Sequence, residues 1–182
     1  IPAQAIVFLF VGKLEPKKNP TALLRAFMAM KQPDAYLFFV GEGPEASILK
    51  NMATDNDKVI FLGFQNQKQM PVAYRLGDVL VLPSQGPGET WGLAVNEAFA
   101  CARPAIVSNK VGCGQDLIVS GQTGWVFNAS DEQTLLKSMQ QALQLGKNGL
   151  SQMGLEAAQK IKSWSYNQVV GKIMQEISRL NH

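Results

Sequence analysis

Two glutamates, Glu89 and Glu97, close the two ends of the segment Glu-Thr-Trp-Gly-Leu-Ala-Val-Asn-Glu. The segment follows an apolar run that ends Val-Leu-Val-Leu-Pro-Ser. The first acid lies in a loop rich in Gly and Pro, and the second about two turns into an amphipathic helix. A strand, a glycine-containing turn and a helix start make an anion-binding device, because unpaired N–H groups and the helix dipole both point at the turn. The two carboxylates add acceptors suited to sugar hydroxyls. A phosphate site between two such acids suits a sugar nucleotide. Paired acids at this spacing also arise by chance, so the specificity lies in the surroundings: Pro83-Ser84, the Trp91-Gly92 pair, and an acid followed by Ala-Phe-Ala.

Further candidates follow other apolar runs. After the first come Gly12, Lys13 and Lys18. Gly12 permits close backbone approach. Two ammonium groups there could neutralise a diphosphate and stabilise it as a leaving group, whereas lysines in a loop are otherwise simply solvated. Gly41-Glu42-Gly43-Pro44-Glu45-Ala46 matches a dinucleotide-binding G-x-G-x-x-A pattern. Pro44 occupies the helix start, however, and the next apolar run ends Phe61-Leu62-Gly63-Phe64 with no ribose-binding acid, so a turn is expected. Asp55-Asn56-Asp57 precedes a strand, at the end of the sheet away from the expected site, and reads as a solvated turn. Val111-Gly112-Cys113-Gly114 is expected to line the same cleft. Cys101 and Cys113 form no spaced motif, and the single His is residue 182, so no metal site is expected. Asn128-Ala129-Ser130 is a glycosylation sequon in form only.

The elements that must position these residues alternate. Continuous apolar runs at 5–11, 35–40, 58–62, 78–82 and 104–108 predict strands buried on both faces, with a sixth at 124–127. Helical spacing is predicted over 20–31, 44–54, 67–76, 93–102 and 113–119. Repeated βα units imply an α/β fold with a doubly wound, Rossmann-like parallel sheet of about six strands. Ligands then bind outside the carboxyl ends of the strands, which sorts the candidates above. From about residue 131 the chain is expected to be helical, over 131–145, 149–162 and 166–180. The domain is placed at 1–163, with a C-terminal helix at 164–182. In that helix Val169, Val170, Ile173, Met174 and Ile177 form one stripe, which packs either on the sheet domain or on another domain.

With 182 residues, 46% of them hydrophobic and 17% charged, the chain suits one domain with an ordinary core. A net charge of +3, with scattered Lys and Arg, argues for neither nucleic acid nor a membrane surface as partner. No run of about eighteen apolar residues is present. No signal peptide is visible, and the start at Ile1-Pro2 resembles the cut edge of a larger protein.

Taken in order, these segments resemble the C-terminal domain of retaining glycosyltransferases of the two-domain GT-B architecture, the group with a Glu-x7-Glu motif. The resemblance rests on Gly12-Lys13-Leu14 with Lys18, Val40 to Pro44, Phe61-Leu62-Gly63, Asp78 to Ser84, Glu89 to Glu97, and Pro104 to Ser108. It implies catalytic roles for Lys13, Lys18 and Glu89, with both lysines on the diphosphate and Glu89 on the transferred sugar. It implies donor binding by Gly12, Trp91 and Gly92, by the Leu93 and Ala94 amides on a phosphate, and by Glu97 on the ribose. Phe64 and Gln65 would line the base. The implied partner is a nucleoside-diphosphate sugar, with no cofactor, no metal and no nucleic acid. The implied setting is cytoplasmic, with any membrane contact through an absent region, and polysaccharide biosynthesis as a typical role. An N-terminal domain would supply acceptor recognition, so this stretch alone is expected to be inactive. A sugar-nucleotide epimerase of the same architecture, or a non-catalytic nucleotide-sugar-binding module, is the alternative. Family members commonly have Arg where Lys13 stands, losing here a bidentate fork, and Gly where Asn19 and Arg103 stand.

Overall fold

The protein is described by a computed structural model over residues 1–86 and 89–180. Pro87 and Gly88 of the expected Gly/Pro loop lie outside the described residues, as does His182. Six parallel strands form one sheet in the order β3-β2-β1-β4-β5-β6. They are β1 (Ile6–Val11), β2 (Ala35–Val40), β3 (Val59–Phe61), β4 (Val79–Leu82), β5 (Ala105–Ser108) and β6 (Gly124–Phe127). Helices α1 (Pro20–Met30), α2 (Ala46–Met52), α3 (Met70–Leu76), α4 (Leu93–Ala100) and α5 (Gly114–Leu117) connect them. Then come α6 (Glu132–Ile161) and α7 (Tyr166–Leu180).

The continuous apolar runs are explained by burial on both faces. Every residue of β1, β4 and β5 is buried. Alternate strand residues serve two cores. Phe8, Phe10, Phe39, Val81 and Ile106 pack with Leu23, Leu24 and Phe27 of α1 and Leu135, Met139 and Leu150 of α6. Leu9, Leu80, Leu82 and Val107 pack with Tyr74 of α3 and Val95, Ala98 and Phe99 of α4. Crossovers diverge between β1, which pairs with β2, and β4, so the carboxyl ends of these two strands open into a crevice.

The helices expected over 131–145 and 149–162 both form, as the two halves of α6 on either side of a kink at Gly146, whose backbone is not helical (φ 70°, ψ 175°). Asp131 caps it, its carboxylate accepting from the Gln133 amide at 2.9 Å. Most predicted elements are trimmed at their ends. Helix α5 covers only Gly114–Leu117 because Ile118 turns extended and feeds the tight Ser120–Gly124 turn. A short 3-10 helix, Lys162–Trp164, joins α6 to α7. The apolar stripe of α7 lies open, with Val169, Val170, Ile173, Met174 and Ile177 between 46% and 58% exposed. No described helix is long and apolar enough to cross a membrane.

Candidate functional site

The crevice at the carboxyl ends of β1 and β4 collects most of the candidate residues. Beyond β1 the chain turns at Gly12 and passes into a 3-10 turn, Pro16–Lys18. Asn19 stops that turn in the left-handed region (φ 50°), a conformation short polar residues tolerate. The reversal folds Lys18 back over Gly12. Its Nζ lies 2.5 Å from Glu89 Oε2, and both side chains are largely shielded, at 17% and 11% exposure. Ser84 Oγ donates to the same carboxylate oxygen at 3.0 Å. Sequence reasoning missed this use of Ser84. The signal was available in its place directly after β4, five residues before the acid.

Helix α4 starts behind this cluster. Gly92 caps it with φ 98°, and a Cβ there would stand 2.6 Å from Val111 Cγ1. Only glycine therefore satisfies both the left-handed backbone and the close packing. No side chain caps the helix, so its first amides, at Leu93 and Ala94, face the crevice with the positive end of the dipole. Glu97 lies on the next turn. Its Oε2 accepts from the Tyr74 hydroxyl at 2.6 Å. Tyr74 is fully buried on α3 and was absent from the sequence expectations, although a buried tyrosine requires an acceptor. Burial first, and then the hydrogen bond to Glu97, raise its phenol well above the ordinary value, so it stays a donor. Glu89 Oε1 and Glu97 Oε1 accept from no group among the described residues, and both remain available to a ligand.

Two adjoining cavities result. One, of about 380 Å³, brings together Gly12, Lys18, Glu89, Trp91, Gly92, Leu93, Ala94 and Glu97. The other, of about 360 Å³, holds Gly12, Lys13, Phe64 and Gln65, along with Glu42 and Met70. They meet at Val11 and Gly12. Phe64 is 73% exposed at the rim, and Gln65 Nε2 donates to Leu62 O at 2.8 Å, leaving its Oε1 free. Lys13 therefore stands apart from Lys18. Its ammonium lies 3.7 Å from Glu15 and borders the second cavity, because the chain turns between the two lysines.

Neighbouring turns brace the site. The Gly112 amide donates to Glu89 O at 3.3 Å and the Cys113 amide to Trp91 O at 2.8 Å. The Gly-rich turn at 111–114 thus supports the motif from behind rather than lining the cleft. Trp91 Nε1 donates to Asn96 Oδ1 at 2.8 Å, and its ring packs on Trp164 with centroids 4.9 Å apart. Gly41 and Glu42 form a turn whose Gly41 amide donates to Gly63 O at 2.8 Å. A Cβ at Gly41 would stand 2.0 Å from Gly12 O, so the glycine there serves chain approach. Burial pushes the Cys113 thiol up to about 12, which leaves it unreactive near neutrality. Among the described residues no group of three or more His, Cys, Asp or Glu side chains could hold a metal ion.

The left-handed residue at the end of α4 is Ala102 (φ 54°), not Arg103. The Arg103 amide donates to Ala98 O and the Ala102 amide to Phe99 O, both at 2.9 Å. This is a Schellman ending, with Ala102 at the position that favours glycine.

The family model described as "Glycosyl transferases group 1" matches residues 1–161. The D-inositol 3-phosphate glycosyltransferase of Mycolicibacterium smegmatis is 30% identical over 175 residues, covering 91% of this chain and 39% of that protein. The chain thus spans well under half the length of this curated relative. The structure of sucrose-phosphate synthase from Thermosynechococcus elongatus superposes with a TM-score of 0.83 at 25% identity, over 99% of this chain and 46% of that one. Anabaena HepE, solved with UDP and glucose, shares the fold with a TM-score of 0.80 at 22% identity, over 97% of this chain and 49% of HepE.

Proposed function

Since the chain belongs to the glycosyl transferases group 1 family, we propose that it forms the donor-binding part of a metal-independent, retaining glycosyltransferase. The observation that carries this reading is one cavity bordered by a shielded lysine, an uncapped helix start and two carboxylates with free oxygens. A nucleoside-diphosphate sugar fits those groups in order. The diphosphate lies over the Leu93 and Ala94 amides, between Lys18 and Lys13. The sugar meets Glu89 Oε1, the ribose meets Glu97 Oε1, and the base enters the adjoining cavity beside Phe64 and Gln65.

The chemistry then follows from charge. The bond from the sugar's anomeric carbon to the diphosphate oxygen breaks, and its electron pair leaves with the nucleoside diphosphate. Lys18, Lys13 and the helix dipole stabilise the charge that develops there. The acceptor's hydroxyl oxygen bonds to the same carbon from the departing group's side and passes its proton to an oxygen of the departing diphosphate, which keeps the configuration. Lys13 serves phosphate as a point charge, without a guanidinium's fork.

Acceptor recognition is assigned to the part of longer relatives that this chain does not match, so this chain alone is expected to bind donor without transferring sugar. The open stripe of α7 is assigned to packing against that part. A cytoplasmic setting belongs to the same family-based reading. Calorimetric titration with UDP, GDP and ADP, with and without magnesium, tests the reading. Saturable binding of one diphosphate, indifferent to magnesium, is expected. Binding that requires magnesium would overturn metal independence, and no binding to any of the three would overturn donor binding by this chain.

A further inference from the structure

We infer that Ser84 is a positioning residue: its hydroxyl fixes one oxygen of Glu89 so that the other stays aimed at the transferred sugar. This rests on the nucleotide-sugar reading and adds to it. In the empty site Glu89 Oε2 accepts from two donors, Lys18 Nζ at 2.5 Å and Ser84 Oγ at 3.0 Å. Lys18 cannot serve Glu89 and a diphosphate equally, because a diphosphate presents more negative charge to the same ammonium. When Lys18 turns to the phosphates, Glu89 keeps one donor.

Ser84 is built to be that donor. It is fully buried and follows β4 directly. Its carbonyl accepts from the Ser108 hydroxyl at the end of β5. The next residue is tied to the lysine turn, with the Gln85 amide donating to Lys17 O and its side chain to Pro16 O, both at 2.9 Å. The serine is therefore fixed from two sides, while Glu89 sits on a loop. A hydroxyl carries one proton, and here it goes to Glu89. The Ser84 bond thus matters more with donor bound than in the empty site.

The test compares dissociation constants for UDP with UDP-glucose, and for GDP with GDP-mannose, on the full 182-residue chain. The readout is the gain in affinity that the sugar adds over the diphosphate. Ser84→Ala should cut that gain roughly tenfold, the scale of one hydrogen bond to a charged group, and leave diphosphate affinity in place. Ser84→Thr keeps the hydroxyl and should keep the gain. Equal losses for diphosphate and diphosphate sugar would reduce Ser84 to loop support and overturn the assignment, as would an unchanged gain. Should Ser84→Ala fail to unfold cooperatively, Ser84→Cys, of similar size with a weak donor, carries the same comparison. A wild-type chain that binds none of the four ligands, nor ADP, overturns the nucleotide-sugar reading itself, and the Ser84 role with it. One that binds diphosphates with no gain from the sugar overturns the Ser84 role alone.

Discussion

Lys18 meets a carboxylate in the empty site and, on the proposed reading, a diphosphate in the filled one. Replacing it with alanine should therefore weaken nucleoside diphosphate by about 1.5–3 kcal/mol and bare nucleoside far less. Parallel titrations check this, and equal losses would place Lys18 away from the phosphates. Tyr74 makes a different prediction. Burial, then its bond to Glu97, raise the phenol in the folded chain above its ordinary value of 10.0. The folded state then holds a proton that the unfolded state releases, so stability is intact below about pH 10 and falls as pH rises beyond it. Denaturation midpoints measured through that window should fall more steeply for the wild type than for Tyr74→Phe. These two residues also mark the limits of the sequence. Lys18 and both glutamates were legible because they follow strands whose burial is written as unbroken apolar runs. Tyr74 was not, because its partner is 23 residues distant and only the packing of α3 beside α4 brings them together.

Among the elements, the joint between α4 and β5 departs from what its sequence favours. Ala102 takes a left-handed conformation where glycine has no steric penalty. Its carbonyl oxygen would stand 2.1 Å from a Cβ at Gly154, so α6 crosses this joint at close range. Ala102→Gly should raise stability by about 0.5–1 kcal/mol, since the relieved strain exceeds the added entropy of the unfolded chain. Urea denaturation would reveal it as a higher midpoint with an unchanged slope. The six strands and their order of appearance were readable from apolar runs. The course of the loops was not. The separation of Lys13 from Lys18 depends on a 3-10 turn that no periodicity announces, and the support of Glu89 by Gly112 depends on where two loops meet.

For the molecule as a whole, the sheet with α1 to α6 carries the packing, and α7 leaves from the Lys162–Trp164 turn with its apolar stripe open. Deleting residues 166–182 should therefore leave the thermal midpoint within about 2 °C of the full chain, as scanning calorimetry would record. A larger fall would mean that α7 packs on the sheet domain after all. Of the chain's three tryptophans, Trp125 is buried on β6, while Trp91 and Trp164 pack against each other at a tilt of 42° where the loop before α4 meets the root of α7. Two indoles that close share their electronic excitation. The protein thus carries a native optical reporter: a far-ultraviolet circular dichroism couplet whose sign and size follow the mutual tilt of two rings, one in the candidate site and the other at the base of its outermost helix.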